Sequence, residues 1–132
     1  MMPELKAEPS TIKQFMETIT EGWEELDGNP MIEVRALKEN SGTNVARFAF
    51  DWIDDAAHHA QAMNDAGRNI YMCINPVDGD SEIEAGKGAK DTDILAAFHC
   101  FADADTDGAM QNILSFAGPK FTMSVKTGTV PF

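Results

Sequence analysis

Apolar residues recur at Ile12, Phe15, Met16, Ile19, Trp23 and Leu26, the three-and-four spacing of one helix face, and Gly28 followed by Pro30 supplies a stop. The pattern predicts a helix over 12–26, with Thr11-Ile12-Lys13-Gln14 fitting a capping box at its start. The period then drops from about 3.6 to about 2. Ile32, Val34 and Ala36 alternate with Glu33, Arg35 and Leu37; after the turn-rich Asn40-Ser41-Gly42-Thr43-Asn44, a second run puts Ala46, Phe48, Phe50 and Trp52 on one face. This predicts a β-hairpin over 31–38 and 45–52, with Trp23 and Trp52 as core anchors on their apolar stripes. Asp54 stands where it would cap a second helix through Ala56, Ala60 and Met63 that ends at Gly67, and Ile70, Met72 and Ile74 then alternate up to Pro76.

From Val77 to Asp93 the periodicity stops. Gly79, Gly86 and Gly88, six acidic residues and two lysines mark a long mobile surface loop, and long loops inside a small domain tend to carry function. A strand is predicted over 95–104, a helix from Asp107 through Met110, Ile113, Leu114 and Phe116 to Gly118-Pro119, and a last strand over 121–125. The expected order is α-β-β-α-β-β-α-β, an α/β fold in which helices pack on one mixed sheet. An N-terminal helical segment over 1–30 leads into an α/β domain over 31–132.

With 132 residues, 43% of them hydrophobic and 24% charged, the chain has the makeup of an ordinary globular domain. It lacks the roughly 18 consecutive apolar residues of a membrane span, and Met1-Met2-Pro3-Glu4-Leu5-Lys6 lacks a signal peptide's regions, so a cytoplasmic protein without membrane association is expected. Cys73 and Cys100 sit in apolar runs without metal-site spacing and read as buried thiols. The net charge of −12 opposes a phosphate backbone being gripped by the chain's overall field, because such affinity comes from Lys and Arg displacing counterions. Nucleic-acid contact therefore requires the acid to be concentrated in a metal site and on the far surface, or a basic surface on residues outside the chain.

The chemistry concentrates at Asp103-Ala104-Asp105, two carboxylates one residue apart at the end of the most apolar run, Ile94 to Ala102. On a strand, His99, Phe101, Asp103 and Asp105 would share a face. Like charges that close repel unless a cation lies between them, and a divalent ion suits oxygen ligands; an acidic turn after a core strand is the plainer reading. Asp103-Ala104-Asp105-Thr106-Asp107-Gly108 also matches the first six positions of an EF-hand calcium loop, with ligands Asp103, Asp105 and Asp107. Position twelve is Leu114, however, which removes the bidentate carboxylate of that motif.

Three further stretches fall in a fixed order: Ala66-Gly67-Arg68-Asn69-Ile70-Tyr71-Met72-Cys73-Ile74-Asn75-Pro76, then Lys90-Asp91-Thr92-Asp93-Ile94, then Phe101-Ala102-Asp103-Ala104-Asp105. They are similar to the Gly-Asn-Val-Tyr and Asn-Pro strand, the acidic lead-in and the hydrophobic D-x-D motif of archaeo-eukaryotic-type primases. From about Met31 to its end the chain resembles the front half of that palm domain, specifically the RepB-like primases and primase-polymerases of plasmids and phages. The resemblance implies a DNA primase or polymerase-like nucleotidyltransferase in which Asp103 and Asp105 are the catalytic metal ligands for Mg2+ or Mn2+. It implies nucleoside triphosphates and a DNA template as partners, together with a replicative helicase, and a homodimer where a sheet edge is left bare. Arg35 and Lys126 become contacts to nucleotide or nucleic acid. The family's next element, a strand and glycine-rich turn followed by a histidine, is matched only as far as Phe121 to Gly128, so the expectation is a palm truncated before its histidine motif and completed by C-terminal residues. A calcium module at 103–114 and a non-catalytic, palm-like interaction domain are the competing readings.

Arg47 reads as a solvated or ion-paired strand residue, His99 as a structural histidine with metal contact the minority role, and Lys87 and Lys90 as loop cations that either touch phosphate or neutralise their acidic neighbours. His58 and His59 point about 100° apart on a helix and read as surface.

Overall fold

Helix α1 (Pro9–Thr20) turns Ile12, Met16 and Ile19 inward, as its apolar spacing requires. The computed structural model describes residues 9–99 and Gly108. The chain divides into two compact units, Met1–Cys100 and Phe101–Phe132, and apart from Gly108 the description concerns the first. The predicted single helix over 12–26 is two pieces. Thr11 lies within α1 and so does not cap it. At the other end the Thr20 hydroxyl donates to the Met16 carbonyl at 2.8 Å, Gly22 takes φ +89°, and one 3-10 turn follows at Trp23–Glu25. That turn drops Trp23 fully into the core.

Strand β1 (Pro30–Leu37) is the centre of the sheet. It pairs with β2 (Thr43–Ala49) from Met31↔Ala49 to Leu37↔Thr43, as the hairpin pattern predicts. Its other edge holds β3 (Asn69–Met72), from Val34↔Met72 to Leu37↔Asn69, and β4 (Val77–Asp78) against Pro30 and Met31. All pairings among the described strands are antiparallel, which corrects the expectation of a mixed sheet to that extent. The fold is mixed α/β.

Ile32, Val34 and Ala36 on one face of β1 are fully buried, the two branched side chains contributing about 1.5–3 kcal/mol each. They pack with Met16, Trp23 and helix α2 (Ile53–Asp65), which presents Ala56, Ala57 and Ala60. Helix α2 ends in a Schellman motif: Gly67, at φ +86°, donates its N–H to Asn64 O, and Arg68 N–H donates to Met63 O. The Arg68 guanidinium donates onward to the carbonyls of Ala36 and Gly42, tying this corner to the hairpin. Asp54 does not cap α2; it pairs with Lys13 of α1 at 2.9 Å. No described helix is long and apolar enough to cross a membrane.

Trp52 is 59% exposed, contrary to its expected place in the core. Strand β2 stops at Ala49, the Trp52 N–H turns back to the Ala49 carbonyl, and the alternation that would have buried the indole ends with the strand. His58 is exposed as expected, whereas His59 is half-buried with its ring 5.5 Å from that of Phe48. The strand predicted over 95–104 does not form across its described part: Ile94 makes one antiparallel bridge to Val77, and 95–99 carry no strand. The helix and strand predicted beyond it lie outside the described residues.

Candidate functional site

The second face of β1 is where the polar residues gather. Alternation sends Glu33 and Arg35 away from the core, and the register sets Arg47 of β2 directly opposite Glu33. Glu33 is nevertheless fully buried. Its carboxylate accepts from Arg35 Nε at 2.8 Å, from Arg47 Nε at 3.0 Å and from the Ala89 N–H at 2.9 Å, and Arg47 Nη2 pairs with it at 2.9 Å. Burying a carboxylate costs several kcal/mol, which two guanidinium partners and a backbone donor together offset. Ion pairing of Arg47, one of the two sequence readings of that residue, is what occurs.

The cover is the segment predicted to be a surface loop. It starts with β4 and the Gly79 N–H donating to Asn29 O at 2.8 Å, and then runs back across Glu33. Arg35 Nη2 donates to Ala89 O at 2.9 Å, and Arg47 Nη2 donates to Lys87 O. Gly88 is needed here: a Cβ on it would stand 2.5 Å from the Arg35 guanidinium carbon. Asp93 closes the far end of the segment, accepting from Ser81 Oγ and from the Lys90 N–H at 2.9 Å. These hydrogen bonds, the Lys90 amide first, hold its carboxyl below the ordinary carboxylate value, and Lys90 and Arg47 add electrostatically to the effect.

A second constellation centres on Asn75. From Val34 to Met31 is three steps along β1, but from Met72 to Val77 is five, so two residues bulge between β3 and β4 where Asn75-Pro76 stands. The Asn75 carboxamide accepts the N–H groups of Phe98 at 2.9 Å and His99 at 2.6 Å through Oδ1, and donates through Nδ2 to His99 O at 3.1 Å. The Leu95 N–H reaches Pro76 O at 2.8 Å. Residues 94–99 therefore run beside 75–77, fastened by a side chain where a strand would use its ladder. His99 Nε2 lies 2.9 Å from Ile19 O, so this nitrogen carries the proton and donates, the structural role expected for it.

Arg35 thus stands at the buried carboxylate, while Asp103, Asp105 and Lys126 lie outside the described residues, as does the calcium-loop reading over 103–114 except for Gly108. Among the described residues no group of three or more His, Cys, Asp and Glu side chains is arranged to hold a metal ion. Cys73 is a half-buried free thiol. Sequence reasoning missed Glu33, whose partner on the covering segment, Ala89, is 56 residues distant, and Asn75 as an anchor; the one local signal was Glu33-Val34-Arg35 with Arg47 in hairpin register. No family model, curated protein or solved structure matches the chain.

Proposed function

We propose that the chain carries a primase-type palm, a nucleotidyltransferase that joins nucleoside triphosphates on a DNA template in the replication of a plasmid or phage. The observation that carries this reading is the convergence of motifs distant in sequence. The Asn75-Pro76 bulge closes the first motif, the Lys90–Asp93 turn belongs to the second, and both bear directly on the stretch 94–99 that leads into Asp103-Ala104-Asp105. The Asn75 carboxamide fastens Phe98 and His99, which precede that motif in the sequence.

Asp103 and Asp105 would hold the divalent ions. Two carboxylates with no nitrogen or sulfur ligand between them suit hard cations such as Mg2+ or Mn2+. Bound ions of this kind supply charge neutralisation at the phosphates and activation of the attacking hydroxyl.

The test is template-dependent nucleotide incorporation with Mn2+, using the chain in its longest natural form, wild type against Asp103→Asn and Asp105→Asn. Loss of incorporation in both variants, with folding retained, supports the reading. Incorporation at the wild-type rate in Asp103→Asn overturns the site. A chain that orders 103–114 on Ca2+ and incorporates nothing belongs to the calcium-module class instead.

A further inference from the structure

We propose that the Arg35–Glu33–Arg47 face is a binding site for a polyphosphate group, kept shut by the segment 86–90 acting as its latch. One guanidinium would suffice to neutralise Glu33, yet two are present, on adjacent strands and converging on the same carboxylate. Glu33 engages Nε of both arginines and so fixes the rotation of each fork. Arg35 Nη2 is given to a neutral backbone acceptor, Ala89 O, and Arg47 Nη2, which also lies 2.9 Å from the Glu33 carboxylate, donates to Lys87 O. A phosphoryl oxygen is a stronger acceptor than a peptide carbonyl, because it is anionic as well as facing a charged donor, and two oxygens of its tetrahedron can be spanned by the planar guanidinium fork.

The latch is built to let go. Gly86 sits at φ +80°, Gly88 has no side chain against Arg35, and the only regular element in 79–93 is one 3-10 turn, Asp91–Asp93. The segment 86–90 itself carries Lys87 and Lys90, both exposed, with Glu84 and Asp91 exposed on either side of it. Tyr71, opposite Arg35 in register on β3 and 56% exposed, borders the face and offers a ring to a base attached to the phosphates. Two sources share this chemistry, free inorganic polyphosphate and a nucleoside triphosphate. If the ligand is the nucleotide, the inference deepens the primase-type reading and rests on it. The test below uses no metal, and so separates the two.

The experiment is limited trypsin digestion of the whole chain in EDTA, following cleavage after Lys87 and Lys90, with inorganic triphosphate as the probe and sodium sulfate at matched ionic strength as control. Triphosphate should speed both cleavages by about tenfold, the size of one lost charge-assisted contact, and Arg35→Gln should abolish the response. Gly88→Ala, which leaves every charge in place but crowds Arg35, should speed cleavage without ligand and tighten triphosphate binding. The same response in Asp103→Asn shows that it is independent of the metal motif, so a failure here and a failure of incorporation are read separately. A nucleoside triphosphate that outdoes inorganic triphosphate, with the excess lost in Tyr71→Ala, assigns the site to nucleotides; an equal response assigns it to the polyphosphate alone. Cleavage unmoved by triphosphate, moved equally by sulfate, moved only by a single-stranded oligonucleotide, or unaltered in Gly88→Ala overturns the proposal.

Discussion

At Glu33 strand β1 is buried on both faces, by opposite means. On one side Ile32, Val34 and Ala36 meet Met16, Trp23 and the alanines of α2, and stability comes from apolar area removed from water. On the other, Glu33 is equally inaccessible, but its burial is a balance between a large desolvation cost and three hydrogen bonds reinforced by two ion pairs. The apolar face tolerates small shifts because its forces are non-directional. The polar face depends on every partner staying in place, so it is the face that a competing ligand or a single substitution can open.

The largest effect should come from the apolar side. Trp23→Ala removes the largest fully buried side chain and should cost about 3–5 kcal/mol in urea unfolding, a large share of a small domain's total stability. A loss under about 1 kcal/mol would mean that Trp23 is not the centre of the core.

Next is the polar side, where Glu33→Ala should cost about 3 kcal/mol by leaving Arg47 without its carboxylate. The double variant Glu33→Met/Arg47→Met should lose less than the sum of its two single changes, since an apolar pair avoids the stranded charge. If the loss in Glu33→Ala stays within about 0.5 kcal/mol, as for an ordinary surface residue, the contrast between the two faces collapses.

The difference between the faces also explains what the sequence discloses. Core positions announce themselves locally: the helical spacing of Ile12, Met16 and Ile19 and the alternation of Ile32, Val34 and Ala36 each need only a few neighbouring residues to be seen, and all six are buried. Glu33 follows the same alternation and lands on the polar face, which a local reading equates with solvent. Its burial is decided by a covering segment without periodicity of its own, where the controlling features are a missing Cβ at Gly88 and backbone groups at Lys87 and Ala89. Trp52 shows the reverse error, because the alternation continues past the end of the strand that gave it meaning. The stretch 95–99 has the composition of a strand, yet part of its hydrogen bonding is met by the Asn75 carboxamide, a partner that no propensity encodes.

The smallest effect concerns the hinge between the two regimes, the Asp93 turn that ends the covering segment. Its carboxyl is held below the ordinary value of 3.8 by the bonds from Lys90 N–H and Ser81 Oγ. A folded-state value lower than the unfolded one means that the ionised group stabilises the fold. That contribution is fully present above the ordinary carboxylate range and is lost only as pH falls through the depressed value. Between pH 5 and 8 the turn should therefore be indifferent to pH. Below 3.8 the amide signal of Lys90 should shift as its acceptor is protonated, and Asp93→Asn should remove that shift. An NMR titration of Lys90 and of the Asp93 carboxyl carbon reads this directly. A midpoint at or above 3.8 would mean that the turn does not prefer the charged carboxylate, and that the segment over Glu33 is fastened by the arginines alone.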